Sequence, residues 1–169
     1  GRQYTEQVRV GVTGHLVSSA IYEARATALA LDAGMLYHYV PFDLTVGASV
    51  NNVGTELSGI GPSPVNLPLD IRIYATKQLQ YVPLRLTITG YNLNRIGSRS
   101  GAGARDLVVD HLRFGGELQL GSTFQIRLGY NPRRHQDLST EARLDLAGVT
   151  AGFGLDLFRV SFDYTYESW

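Results

Sequence analysis

The chain has 169 residues, enough for one domain spanning 1–169, and its 15 basic and 15 acidic residues leave no net charge that would indicate a nucleic-acid partner. It contains no cysteine, which excludes disulfides, thiolate metal sites and cysteine nucleophiles. No apolar run approaches the ~20 residues that a membrane-spanning helix needs, so any membrane crossing would have to use β-strands.

Large apolar side chains alternate with polar or small ones along nine segments, and a period of two predicts β-strands. In the last segment, Phe162, Tyr164 and Tyr166 alternate with Asp163 and Thr165. The predicted strands cover residues 5–17, 27–39, 44–51, 69–79, 84–93, 110–120, 124–131, 149–157 and 160–167. Helical spacing is not sustained anywhere, so the predicted fold class is all-β.

The connections between these strands alternate between long and tight. The tight ones lie at 39–43, 81–83, 121–123 and 157–159, and the long ones at 18–26, 52–68, 95–109 and 132–147. In an antiparallel up-and-down meander this places every tight turn at one end of the sheet and every long loop at the other. Such sorting is typical of transmembrane β-barrels of the outer membrane, whereas soluble Greek-key sandwiches have no reason to sort their loops.

The polar phase of the strands is expected to face a barrel lumen. It is rich in glycine and mixed in charge, and the whole chain has one lysine, Lys77, whereas a water-exposed surface is normally crowded with lysine and glutamate. The predicted lumen-facing residues are Arg9, Asp32, Arg72, Arg85, Arg113, Glu117, Arg127, Asp156 and Asp163. The apolar phase would then face lipid, and Leu128→Arg at mid-bilayer is expected to cost about 2–4 kcal/mol.

Tyrosines near the predicted strand ends fit the aromatic girdles that such barrels place at the membrane interfaces, although each one also fits ordinary strand propensity. They are Tyr37, Tyr39, Tyr81, Tyr130, Tyr164 and Tyr166.

Several stretches resemble the PorV/PorQ family of outer-membrane barrels, which are relatives of the FadL fatty-acid transporters. The most specific are "ALALDAGMLY", "NNVG", "GYNPRR" and "GFGLDL…FDYTY", and the similarity runs in order through nearly the whole chain. The resemblance implies a FadL-like barrel of fourteen strands, location in the bacterial outer membrane, and a scaffold or shuttle role in type IX protein secretion and surface attachment. It also implies protein partners in an envelope or secretion complex.

The count of nine strands is odd, whereas single-chain bacterial barrels have an even number. In addition, Trp169 does not share the phase of the apolar residues that precede it. We therefore expect the sequence to be a fragment that lacks strands at both ends.

Two other functions stay open. A FadL-like channel for small hydrophobic molecules would need an apolar pocket in the lumen, which the charged polar phase disfavours. A structural barrel subunit of a larger envelope complex would need no ligand at all.

No sequence pattern predicts an enzyme, a cofactor or a metal site. His15, His38, His111 and His135 lack the spacing of metal ligands, and "DHL" at 110–112 has no nucleophile in a recognisable context. The glycine-rich "GSRSGAGAR" is predicted to be a flexible loop, since no helix follows it as a phosphate-binding loop requires. The basic "NPRRHQ" at 131–136 is either a solvated loop or a partner contact made by Arg133, Arg134 and His135.

Overall fold

A computed structural model of the chain describes residues 2–3, 6–21, 24–58, 67–97, 108–138 and 146–168. These residues form one antiparallel sheet whose strands lie side by side in chain order. The strands are β1 (Arg2–Gln3), β2 (Val8–Ile21), β3 (Ala24–Tyr39), β4 (Leu44–Ser58), β5 (Asp70–Gln78), β6 (Leu84–Gly90), β7 (Leu112–Leu120), β8 (Phe124–Tyr130), β9 (Val149–Leu157) and β10 (Val160–Glu167). The prediction of an all-β up-and-down meander is confirmed, and β2 to β10 correspond to the nine predicted strands.

The predicted long connection at 18–26 is wrong. Strand β2 continues to Ile21 and β3 begins at Ala24, and the two strands pair along their whole length as far as Ile21 opposite Ala24. The third predicted strand also ended too early, because β4 runs to Ser58 and pairs with β3 as far as Thr27. The strict alternation of loop lengths therefore holds only from the β3–β4 turn onwards.

A β-bulge lies where β4 was expected to end. The register between β3 and β4 shifts between Leu31 and Ala33, and Asn52 adopts a left-handed conformation with φ of 61°. Its backbone N–H donates a hydrogen bond to Asp32 Oδ1 at 2.8 Å. Bulges insert one residue without ending the strand, which explains why the alternation breaks at Asn52 while the pairing continues.

The four predicted tight turns are confirmed at one end of the sheet. Residues Val40–Phe42 form a 3₁₀ turn that closes on Asp43 in the left-handed region, and Gly121 and Phe158 take the same region in two other turns. At the opposite end, β6–β7 and β8–β9 have the longest connections, which include a 3₁₀ turn at Leu93–Arg95 and a helix, α1 (Pro132–Leu138). The helix corrects the prediction of an all-loop connection at 132–147.

The sheet has one apolar and one polar face, and little of the apolar face is buried. Along β3 the side chains of Leu31, Met35 and Tyr37 are exposed, while the residues between them on the polar face are half-buried. Among the described residues, the buried apolar side chains are those of Ala30, Tyr91, Pro132 and Ala147. A water-soluble domain buries its apolar face in a core, so this exposed apolar face is the dominant physical feature of the fold.

Within the described part of the chain, the helical segments are too short or too polar to pass through a membrane.

Candidate functional site

All nine predicted lumen-facing residues lie on the polar face. The cross-strand register shows this, because residues that lie directly opposite each other point to the same face of the sheet. Thr13 lies opposite Asp32, and Ser49 lies opposite Arg72. Farther along the sheet, Thr89 lies opposite Arg113. A shift of one residue in any ladder would have moved the following strands to the other face.

A ladder of ion pairs crosses the polar face from β6 to β10. Glu117 accepts hydrogen bonds from Arg85 Nη1 at 3.0 Å and from Arg127 Nε at 3.1 Å. Arg127 Nη1 also donates to Asp163 Oδ1 at 2.7 Å. Four charges on four strands are thus joined in one network, which we call the charge ladder.

The charge ladder depends on glycines in β9. Arg127 on β8 and Asp163 on β10 are separated by β9, which presents Gly152 and Gly154 to the polar face between them. A Cβ added at Gly154 would lie 2.9 Å from Asp163 Oδ1 and 2.4 Å from Gln125 Nε2. The absence of a side chain at this point lets the guanidinium reach across an intervening strand.

Other predicted residues of the polar face make shorter-range contacts. Asp32 lies 2.9 Å from His15 Nε2 in addition to its bond with Asn52. Asp156 accepts a hydrogen bond from Ser161 Oγ at 2.6 Å, across the β9–β10 hairpin. These contacts cross-link neighbouring strands.

Asp70 ties the start of β5 to the connection after β6. It pairs with Arg72 and accepts a 2.7 Å hydrogen bond from the backbone N–H of Asn92, which is left-handed with φ of 51°. This contact fixes the backbone where that connection begins.

A polar cleft of about 820 Å³ lies at the long-connection end of the sheet, and we call it the rim cleft. It is lined by Tyr91, Asn92, Arg95, Asp110, His111, Arg113, Asn131, Arg133, Arg134 and Asp137. These residues come from the β6–β7 and β8–β9 connections and from β7, so three separate stretches of the chain converge there.

Tyr91 and His111 form the buried floor of the rim cleft, with 4% and 5% of their surfaces exposed. The Tyr91 backbone N–H donates to the His111 carbonyl oxygen at 2.9 Å, and His111 Nδ1 lies 2.9 Å from the Tyr91 carbonyl oxygen. The Tyr91 hydroxyl donates to the Asp110 carbonyl oxygen at 3.0 Å and lies 3.3 Å from Asn131 Oδ1. The two connections are therefore joined by a rigid hydrogen-bonded floor.

The predicted partner-contact residues lie on helix α1, and two of them are used internally. Arg134 pairs with Glu167 of β10, and His135 Nδ1 lies 3.1 Å from the Ala147 carbonyl oxygen. Arg133 is exposed and pairs with Asp137 at 3.6 Å. As a set they stabilise the β8–β9 connection, and Arg133 is the member whose side chain points most freely into solvent.

The sequence-based interpretation missed the floor of the rim cleft, although a signal was present. The tripeptide Gly-Tyr-Asn ends both β6 and β8, at 90–92 and 129–131. Relative to the alternation of apolar and polar residues in their strands, the two copies are shifted by one residue. Tyr91 therefore points to the polar face, while Tyr130 lies on the apolar face opposite Phe114.

The described residues contain no cluster of three or more histidine, cysteine or acidic side chains arranged to hold a metal ion. The segment 98–107, which holds most of the glycine-rich loop, lies outside the described residues. The arrangement of the polar face and the rim cleft suits binding through charge and hydrogen bonds.

No family model, curated protein or solved structure matches this chain.

Proposed function

We propose that the chain is part of an outer-membrane β-barrel, with its apolar face in lipid and its polar face towards the interior. The observation that carries the proposal is the exposure of large apolar side chains on one face of every long strand. Val12 is 72% exposed, Leu128 59% and Phe162 55%. An exposed apolar surface of this extent is stable in lipid and aggregates in water.

Strand length supports the same proposal. Strands β7 and β9 each have nine residues, about 30 Å at roughly 3.3 Å per residue. Tilted by about 40°, they span roughly 23 Å, close to the ~25 Å apolar band of such barrels.

The position of the single lysine also supports the proposed membrane barrel. Lys77 is on the apolar phase near the tight-turn end, and its Nζ reaches back to donate a 2.6 Å hydrogen bond to the Phe42 carbonyl oxygen. This is the snorkelling expected of a lysine near a membrane interface.

Within this barrel, the proposed role is that of a scaffold or shuttle that binds protein partners in type IX secretion, as the PorV/PorQ resemblance implies. The polar face favours it over a channel for small hydrophobic molecules. From β5 to β10 the described residues of that face include no aliphatic side chain, and the charge ladder crosses it. A hydrophobic solute would find charged groups there in place of an apolar pocket.

Photo-crosslinking in native outer membranes tests the role. A benzophenone amino acid at Ile96, which is 50% exposed in the β6–β7 connection, should capture discrete proteins, including secreted cargo or attachment components. The same amino acid at Phe158, in a tight turn at the opposite end, is the matched control. Capture of no protein at Ile96, together with co-purification of a fatty acid or similar solute, would refute the scaffold role and favour the channel.

A further inference from the structure

The rim cleft carries an excess of positive charge that the described residues do not neutralise. Four arginines and two aspartates line it. The two arginines on α1 are both paired with carboxylates. Arg95 and Arg113 form no ion pair with any residue in the described parts of the chain.

Arg113 is held in place without a carboxylate. Its guanidinium lies over the Tyr91 ring, 4.0 Å from the ring centroid, and that ring is fixed from beneath by its hydrogen bonds. Stacking on an aromatic face orients the planar guanidinium while leaving its N–H groups available for a bidentate acceptor. A fixed guanidinium loses less conformational entropy on binding than a free one.

Neutral donors line the same cleft. Asn131 Oδ1 already accepts from the Arg134 backbone N–H at 3.4 Å and lies within reach of the Tyr91 hydroxyl, which leaves the Asn131 amide N–H groups as donors. Arginines combined with amide donors are the arrangement that proteins use for oxyanions.

We propose that the rim cleft binds a phosphate monoester through Arg95 and Arg113. The excess of two arginines over aspartates in the lining favours this group, since a phosphate monoester carries about −1.5 to −2 charges at neutral pH and a carboxylate carries one. The phosphate can belong to a soluble ester or to a lipid head group, and both present the same oxyanion. The proposal concerns the cleft alone and does not depend on a role in secretion.

Isothermal titration calorimetry on the purified full-length protein in zwitterionic detergent tests the proposal. The first probe is inorganic phosphate, with acetate as the comparison anion, and the second is micelles doped with phosphatidic acid. We expect Arg113→Gln and Arg95→Gln each to weaken the binding of phosphate about tenfold or more, the usual effect of losing one charge-assisted contact. Arg133→Gln, at a cleft arginine that already has a carboxylate partner, should weaken the binding much less than Arg113→Gln does.

The two probes identify the source of the phosphate. Binding of inorganic phosphate alone would assign the cleft to soluble esters, and tighter binding of phosphatidic acid micelles would assign it to a lipid head group. Equal affinities for phosphate and acetate, or equal losses in Arg133→Gln and Arg113→Gln, would overturn the proposal, as would the absence of binding to both probes. Heat-modifiable gel mobility checks that each variant folds. If Arg113→Gln fails to fold, Arg95→Gln carries the test, because Arg95 is exposed in a connection and pairs with no acidic residue that the structure describes.

Discussion

Replacing Leu128 by arginine tests which solvent contacts the apolar face. Leu128 is 59% exposed, and its neighbours across β7 and β9 are Gly116 and Ala151, which are too small to shelter a new side chain. In water, a substitution at so exposed a site changes the free energy of unfolding by no more than about 0.5 kcal/mol. In lipid, the guanidinium must either lose its hydration or pull water and lipid head groups into the hydrocarbon region of the bilayer.

The position of Leu128 in the strand sets the size of the effect. The cost of arginine is about 2–4 kcal/mol at the bilayer midplane and falls to about 0–1 kcal/mol at the interfaces. Leu128 pairs with Gly116 in the middle of β7, but it is only two residues from Tyr130 at the end of β8. Two residues span roughly 7 Å, which is within reach of an arginine side chain that extends towards the interface. We therefore expect a loss of about 2 kcal/mol, the lower end of the midplane range.

Thr150→Arg is the matched control on the polar face. Thr150 is next to Ala151 and lies between Gly129, which leaves room for the new side chain, and Glu167, whose carboxylate the new guanidinium can share with Arg134. Urea unfolding in phosphatidylcholine vesicles, followed by the gel mobility of the folded form, measures both variants. If Leu128→Arg and Thr150→Arg lose equally little stability, the apolar face is not in lipid and the barrel proposal fails.

Three further predictions concern the polar face, all measured by the same urea titration. Gly154→Val should cost about 1–3 kcal/mol of unfolding free energy by displacing Asp163 from the charge ladder. Gly115→Ala should cost far less, because its new methyl group would have no neighbour closer than 3.8 Å. Similar losses in the two variants would contradict the role of the absent side chain at Gly154. Glu117→Gln should cost about 1 kcal/mol, because the residue loses its charge while remaining partly solvated, and an unchanged midpoint in low salt would count against the ladder. Tyr91→Phe should cost about 1–2 kcal/mol by removing a buried hydroxyl, and a neutral result would mean that the floor of the rim cleft is not rigid.

The strands from β5 to β10 could be predicted because large apolar side chains alternate along them with polar or small ones, which gives a regular period of two. The residues at 18–26 gave no such signal. Most of them are serine, alanine and charged residues of weak strand propensity, with Ile21 and Tyr22 as exceptions. Pairing of residues 18–21 with residues 24–27 continues the two strands there.

Helix α1 has only seven residues, too few for its apolar periodicity to be recognised. The sequence nevertheless contains a signal for the start of this helix. Asn131 precedes Pro132, and its side chain accepts a hydrogen bond from the Arg134 backbone N–H, as an N-cap residue does. The rim cleft could not be predicted in this way, because it requires three segments that are far apart in sequence to converge. Only the repeated Gly-Tyr-Asn hinted at it, and the opposite directions of the two tyrosines depend on a register that the tripeptide does not encode.

The extra length of β2, β3 and β4 beyond the bulge at Asn52 gives the molecule an uneven profile. Strand β3 has 16 residues, so it measures roughly 53 Å and, at a tilt of about 40°, rises roughly 40 Å against an apolar band of ~25 Å. About 15 Å of paired β-structure would therefore stand above a bilayer on this side, where the sheet leaves the lipid with its hydrogen bonds intact. In the proposed barrel, a partner approaching from outside would meet this rigid extension of β2, β3 and β4 as well as the rim cleft, which lies closer to the bilayer. The extension would restrict the partner's orientation about the membrane normal before any specific contact formed.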